Sequence, residues 1–406
     1  MLASRQPVVP PGAHRSPVTL QDLLDDLLWP QLLRTWKLAL APGRVAMCFL
    51  FVLVAGAVML LAWSVTKDDS GNRVNAVGTL SNSVRINLLP VTQPVAAGKA
   101  TVAQALYDAF IKVPGEFFRD HPWVSLLCLP VILLVWCFVG GAVCRSCACE
   151  VSLRAALPWR KAVVFGLRKT PANAAGVAGP LAAVWAASLL LLLLGKLFFM
   201  GKVISVVGAL LFIFPLLLCL VVALAMVAYL FAHPLLIPAV ACEGTDSFDA
   251  VQRCYAYVLA RPGRLAGYAL ISLLATLPAA FVVGVIGSLG VYAAVTLTGA
   301  PSPASPTAIF FPDLLRQSGG EPYAITTYLL TAWIWLAGAI CLSYFISLYF
   351  CAATNLYLVM RRLVDGQDVA DLWTPPSPAT HASIPAAPVA PVAQTPPSIP
   401  DKADYT

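Results

Sequence analysis

Charge is scarce in this chain of 406 residues: only 11% are Asp, Glu, Lys or Arg, against about 25% in an ordinary soluble domain. So few charges exclude a soluble enzyme as the main reading. Histidine is scarcer still. The four residues, His14, His121, His233 and His381, are scattered over a tail, a loop and a span end. With no histidine in an apolar interior, the serine of Gly287-Ser288-Leu289-Gly290 lacks a Ser-His arrangement, and close helix packing is its preferred role. A paired CxxC…CxxC is also missing. The thiols of Cys144, Cys147, Cys149, Cys242 and Cys254 are therefore read as small packing residues rather than soft-metal ligands, and no metal or cofactor is assigned.

What the chain has in quantity is apolar sequence, at 59%. A hydrocarbon layer of about 30 Å needs roughly 20 apolar residues per helical crossing, with backbone polar groups satisfied inside the segment. Runs at about 45–64, 123–143, 175–195, 203–232, 265–298 and 325–358 meet this requirement. The expected fold is an all-α polytopic membrane bundle of six transmembrane helices with amphipathic interfacial helices. The last two runs exceed one crossing, so they should tilt, kink at Pro278 or protrude. As drawn, no interior carries Asp, Glu, Lys, Arg or His, which argues against an ion- or proton-coupled carrier. The first run starts too far in, and lacks the following cleavage site, to be a signal peptide; it is expected to remain as an anchor.

The net charge of +7 does not indicate nucleic acid, because the basic residues lie between apolar runs instead of on one face. Their distribution gives topology. With the N-terminus inside, 17 of the 26 basic residues fall on the inner side, so both termini are expected in the cytoplasm of a bacterial inner membrane. No cysteine falls in a proposed outer loop, consistent with that orientation.

Three domains follow. Residues 1–42 form a cytoplasmic tail with an interfacial helix, capped by Thr19 and carrying Leu20, Leu23, Leu24, Leu27 and Leu28 on one face. Past Pro30, Leu33, Trp36, Lys37 and Leu40 continue it at headgroup depth or against the protein's own surface. Residues 43–372 are the membrane domain, with an outer loop at 66–122 too small for an independent core. Residues 373–406 are a Pro/Ala-rich tail whose composition predicts disorder.

The two inner loops, 144–174 and 233–264, resemble each other. Ala148-Cys149-Glu150 matches Ala241-Cys242-Glu243, and an arginine follows each glutamate by ten residues, at Arg160 and Arg253. Aromatics at Phe165 and Tyr257, then Lys169…Pro171 and Arg261-Pro262, complete the pattern. Each loop is expected to be a short amphipathic helix. In the second, Thr245 or Ser247 is the cap and Phe248, Val251, Tyr255 and Val258 the apolar stripe.

The stretch from Glu243 to Val258, with Arg261-Pro262 and the ending Ala352-Ala353-Thr354-Asn355-Leu356-Tyr357-Leu358…Arg361-Arg362…Asp365-Gly366, resembles a group of uncharacterised bacterial multi-span membrane proteins. These are distantly similar to the membrane domain of glycerophosphodiester phosphodiesterases. The resemblance implies no activity, because this chain carries no phosphodiesterase catalytic domain.

The candidate residues are Glu150, Arg160, Glu243 and Arg253, read either as structural ion pairs, Glu150 with Arg160 and Glu243 with Arg253, or as a lipid-headgroup contact. The expected function is a non-enzymatic membrane scaffold or interaction protein. Its partners would be the lipid bilayer and a cytoplasmic protein; the alternative is a permease for a lipid-like or uncoupled solute.

Overall fold

The structure is a computed structural model and describes residues 32–65, 104, 108–299 and 324–374. The Thr19 segment, most of the outer loop and the tail from 375 lie outside them. The described residues contain helices and no strand. They are α1 (Thr35–Ala39), α2 (Pro42–Val65), α3 (Val113–Asp120), α4 (Leu129–Leu153), α5 (Trp159–Phe198), α6 (Lys202–Leu210), α7 (Ile213–Glu243), α8 (Ser247–Ala260), α9 (Pro262–Gly299) and α10 (Ala324–Asp365). Single π-helical turns precede α3 and α4. Six helices, α2, α4, α5, α7, α9 and α10, are long and apolar enough to cross a membrane. The chain is an all-α polytopic bundle.

Several boundaries differ from expectation. The first inner loop is not a separate amphipathic helix: α4 continues to Leu153 and α5 begins at Trp159, leaving five residues between them. At 40 residues α5 is about 60 Å long, twice the hydrocarbon thickness. One crossing cannot use all of it, and the basic residues from Arg160 to Lys169 lie on its first turns, which stay helical. The fourth apolar run is two helices, α6 and α7, broken at Leu211 and Phe212. The second inner loop does hold its own helix, α8, but Asp246 occupies the cap position with extended backbone and makes no side-chain capping bond. Its buried residues are Ala250, Cys254, Tyr257 and Val258, while Phe248 is 79% exposed. The apolar stripe is thus rotated from the expected one, because the network around Tyr257 turns that side inward. Pro278 lies inside a continuous α9.

The core gathers at one end of the bundle, the polar end, where Pro42, Leu153, Trp159, Glu243, Pro262 and Asp365 lie. There Cys137 to Cys149 of α4, Leu235 to Cys242 of α7 and Tyr344 to Arg361 of α10 are largely buried. Towards the other end the long helices expose leucine after leucine, including Leu192 and Leu193 of α5, Leu220 of α7 and Leu289 of α9. Apolar exposure of that kind suits lipid contact along the spans.

Small residues allow the α4–α5 contact. A Cβ on Gly166 would lie 2.7 Å from the Phe138 carbonyl oxygen and 2.9 Å from the Ala142 Cβ. Nearby, Asn173 of α5 donates to the Cys137 carbonyl of α4 at 3.1 Å. The obstacle is backbone, which cannot rotate away. Gly166→Ala should therefore separate the helices and cost about 1–3 kcal/mol, read as a lowered melting midpoint in detergent. An unchanged midpoint would show that the helices slide freely there.

A buried arginine for each repeat glutamate

At the polar end the two repeat glutamates occupy similar settings, and the structure gives each a buried arginine from outside its repeat. Glu150, in the last turn of α4, pairs with Arg44 of α2. Arg44 is 2% exposed. It donates from Nε to Ser146 Oγ at 3.2 Å, from a terminal nitrogen to the Ser146 carbonyl at 3.1 Å, and also to the Leu38 carbonyl. One guanidinium thus ties α1, α2 and α4 together. Five donors in a planar fork make arginine suited to this work.

Glu243, the last residue of α7, receives Arg361 of α10 at 2.9 Å, Arg253 of α8 at 3.4 Å and the Tyr357 hydroxyl at 3.2 Å. Arg361 is 1% exposed. Its other terminal nitrogen donates to the carbonyls of Asp368 and Asp371, at 2.7 and 2.5 Å, while its Nε is buried without a hydrogen-bond partner. The segment after Gly366 (φ 67°) is folded back and held by backbone carbonyls. A positive φ there suits glycine, which has no Cβ to clash.

Of the expected pairs, Glu243 and Arg253 are brought together; Arg253 also reaches Asp249 at 3.8 Å. Glu150 and Arg160 are not. The glutamate faces inward towards Arg44, whereas Arg160 is exposed on the first turn of α5 with its guanidinium 5.5 Å from the Trp159 ring centre. The five-residue connection directs Arg160 away from the α4 terminus.

Two further contacts join the repeats. Lys169 of α5 donates to the carbonyls of Gly244 and Thr245 at 2.6 and 3.3 Å, placing a cation on the negative C-terminus of α7. Arg145 of α4 donates to the Ala241 carbonyl at 3.0 Å and lies 5.0 Å from the Phe165 ring centre. On α8, the Tyr257 hydroxyl donates to Asp365. Burial, and then that hydrogen bond, push the Tyr257 phenol well above its ordinary range. Burial likewise raises the Cys254 thiol far above the usual value, which disfavours the thiolate.

All eleven cysteines are free, most of them buried, and among the described residues no three His, Cys, Asp or Glu side chains gather as a metal site. The sequence pattern does not single out Arg44, Arg361 or Lys169 as partners of these groups. Their position at span ends, in a chain so poor in charge, was the available signal.

No protein-family model, curated protein or solved structure matches the chain.

Proposed function

We propose that the chain is a non-enzymatic membrane scaffold or interaction protein of the bacterial inner membrane. In this reading both termini are cytoplasmic and the polar end meets lipid headgroups and a cytoplasmic protein partner. The observation that carries it is how the polar side chains at that end are used: Arg44, Glu150, Glu243, Arg253 and Arg361 hold helices to one another. Locking of this kind suits a platform that keeps its shape, since a carrier must exchange such contacts as it opens.

The permease reading is favoured by one feature, an apolar groove of about 410 Å³ between α9 and α10, lined by residues that include Ile286, Gly287, Gly290, Val291, Trp333 and Ile334. Its volume falls within the roughly 300–1,000 Å³ of small-molecule sites. Two measurements separate the readings. Purified protein in liposomes should give no flux of a fluorescent lipid analogue or small neutral solute above protein-free vesicles, and affinity purification from crosslinked membranes should recover a cytoplasmic partner. Flux abolished by Gly290→Trp in the groove would replace the scaffold with the permease.

A further inference from the structure

The polar end is not uniformly charged. On the α8 side, Arg253, Arg261 and Arg264 are accompanied by Asp246, Asp249, Asp365, Asp368 and Asp371. On the α1 side, among the described residues, Glu150 is paired with Arg44 and the remaining charge is basic. Residues 32–44 and 153–161 contain no carboxylate, and Arg34, Lys37, Arg154, Arg160 and Lys161 are all exposed.

Two of these cations accompany exposed indoles. The Lys37 ammonium lies 5.3 Å from the ring centre of Trp36, which is 40% exposed, and the Arg160 guanidinium 5.5 Å from that of Trp159, which is 60% exposed. The helix that follows α1 meets the start of α5: a Cβ on Gly43, at the start of α2, would be 3.8 Å from the Trp159 Cβ. Anchoring holds the patch in place. Asn355 of α10 donates to the Thr35 hydroxyl at 2.9 Å, and Ser347 donates to the Ala39 carbonyl at 2.9 Å. Thr35 and Ala39 are buried, so Leu33, Trp36, Lys37 and Leu40 are left facing out.

The connection between α4 and α5 adds a third point. Arg154 has φ 51° and ψ 26°, and it is the one non-glycine with positive φ among the described residues. Where α7 ends in the same conformation, the residue is Gly244. A cation thus occupies a position that helix ends normally give to glycine, and it is presented to the outside.

We infer that this face, Trp36–Lys37 and Trp159–Arg160 with Arg154 and Lys161, is a docking surface for the headgroups of acidic phospholipids. Indoles sit at headgroup depth and the adjacent cations meet phosphate, which is the chemistry of a membrane interface. The inference rests on the scaffold reading for its orientation and adds the class of lipid. One-signed charge, aromatic partners and exposed leucines favour lipid over a folded protein, whose surface would supply charges of both signs.

The test uses the full chain in phosphatidylcholine vesicles carrying trace spin-labelled phosphatidylglycerol or phosphatidylcholine, with the immobilised fraction of each probe measured. Phosphatidylglycerol should be preferred several-fold at low ionic strength, with the preference shrinking as sodium chloride is added. Each cation removed lowers it by up to about fivefold, so R154Q/R160Q/K161Q should abolish it with an unchanged melting midpoint. R261Q/R264Q, on the charge-balanced side, should leave it intact. No preference in the wild type, retention in the triple variant, or equal loss in both variants overturns the inference. Abolition by millimolar inorganic phosphate, against matched chloride, would indicate a free-anion site instead. Loss of a captured protein partner with lipid preference unchanged would indicate a protein surface. Flux in liposomes bears on the scaffold reading alone, so the two can fail separately.

Discussion

Glu243→Gln should destabilise the protein by about 3 kcal/mol, the lower end of the range for breaking a buried ion pair. Glu243 is the single carboxylate that receives Arg361, Arg253 and Tyr357, from three positions on two other helices. Glutamine still accepts a hydrogen bond but removes the charge. Arg253 then loses little, because it is partly exposed and keeps Asp249. Arg361 loses much more, since a guanidinium 1% exposed cannot hydrate in place of its partner. Denaturant titration in detergent should show the loss. A double variant, Glu243→Gln with Arg361→Met, should recover part of it, because removing both members of a buried pair costs less than stranding one. The carbonyls of Asp368 and Asp371 lie in exposed residues and can turn to water. Full stability in the single variant, with altered lipid binding, would instead make Glu243 a ligand contact.

The sequence made the spans legible because lipid imposes one simple demand: a long apolar run with its backbone bonds closed internally. That demand located the six helices that, among the described residues, are long and apolar enough to cross. It did not locate their ends. Drawing each span to stop at the first charge placed Arg145 and Glu150 in a loop, whereas both lie on the last turns of α4. Charges are tolerated there because they are paired within the bundle or meet helix carbonyls.

The candidate site was legible by halves for a related reason. An internal repeat marks equivalent positions, so Glu150 and Glu243 could be singled out together. Pairing each with an arginine inside its own repeat assumed that the repeat closes on itself. Ten residues separate glutamate and arginine in both loops, yet α8 carries Arg253 back towards Glu243 while the unbroken start of α5 carries Arg160 away. The partners that matter most, Arg44 and Arg361, come from helices on either side in sequence. Contacts across about 100 residues leave no local periodicity to read.

The Arg44–Glu150 pair differs from its counterpart in one respect that decides a second result. Glu150 is 38% exposed where Arg44 is 2% exposed. Removing Arg44 leaves a carboxylate that water can solvate; the Ser146 carbonyl belongs to a helix residue, the Leu38 carbonyl keeps the Ala41 N–H, and the Ser146 hydroxyl is the group left to find a new partner, so Arg44→Met should cost about 1 kcal/mol, in line with the loss of an ordinary hydrogen bond. Glu150→Gln strands a cation that water cannot reach and should cost about 2–3 kcal/mol, approaching the range for a broken buried pair. A surface salt bridge would give nearly equal and small losses for both variants, at about 0–1 kcal/mol. The asymmetry, not the size of either loss, is therefore the diagnostic quantity. Equal small losses would place Arg44 in contact with water and make the repeat glutamates unlike each other after all.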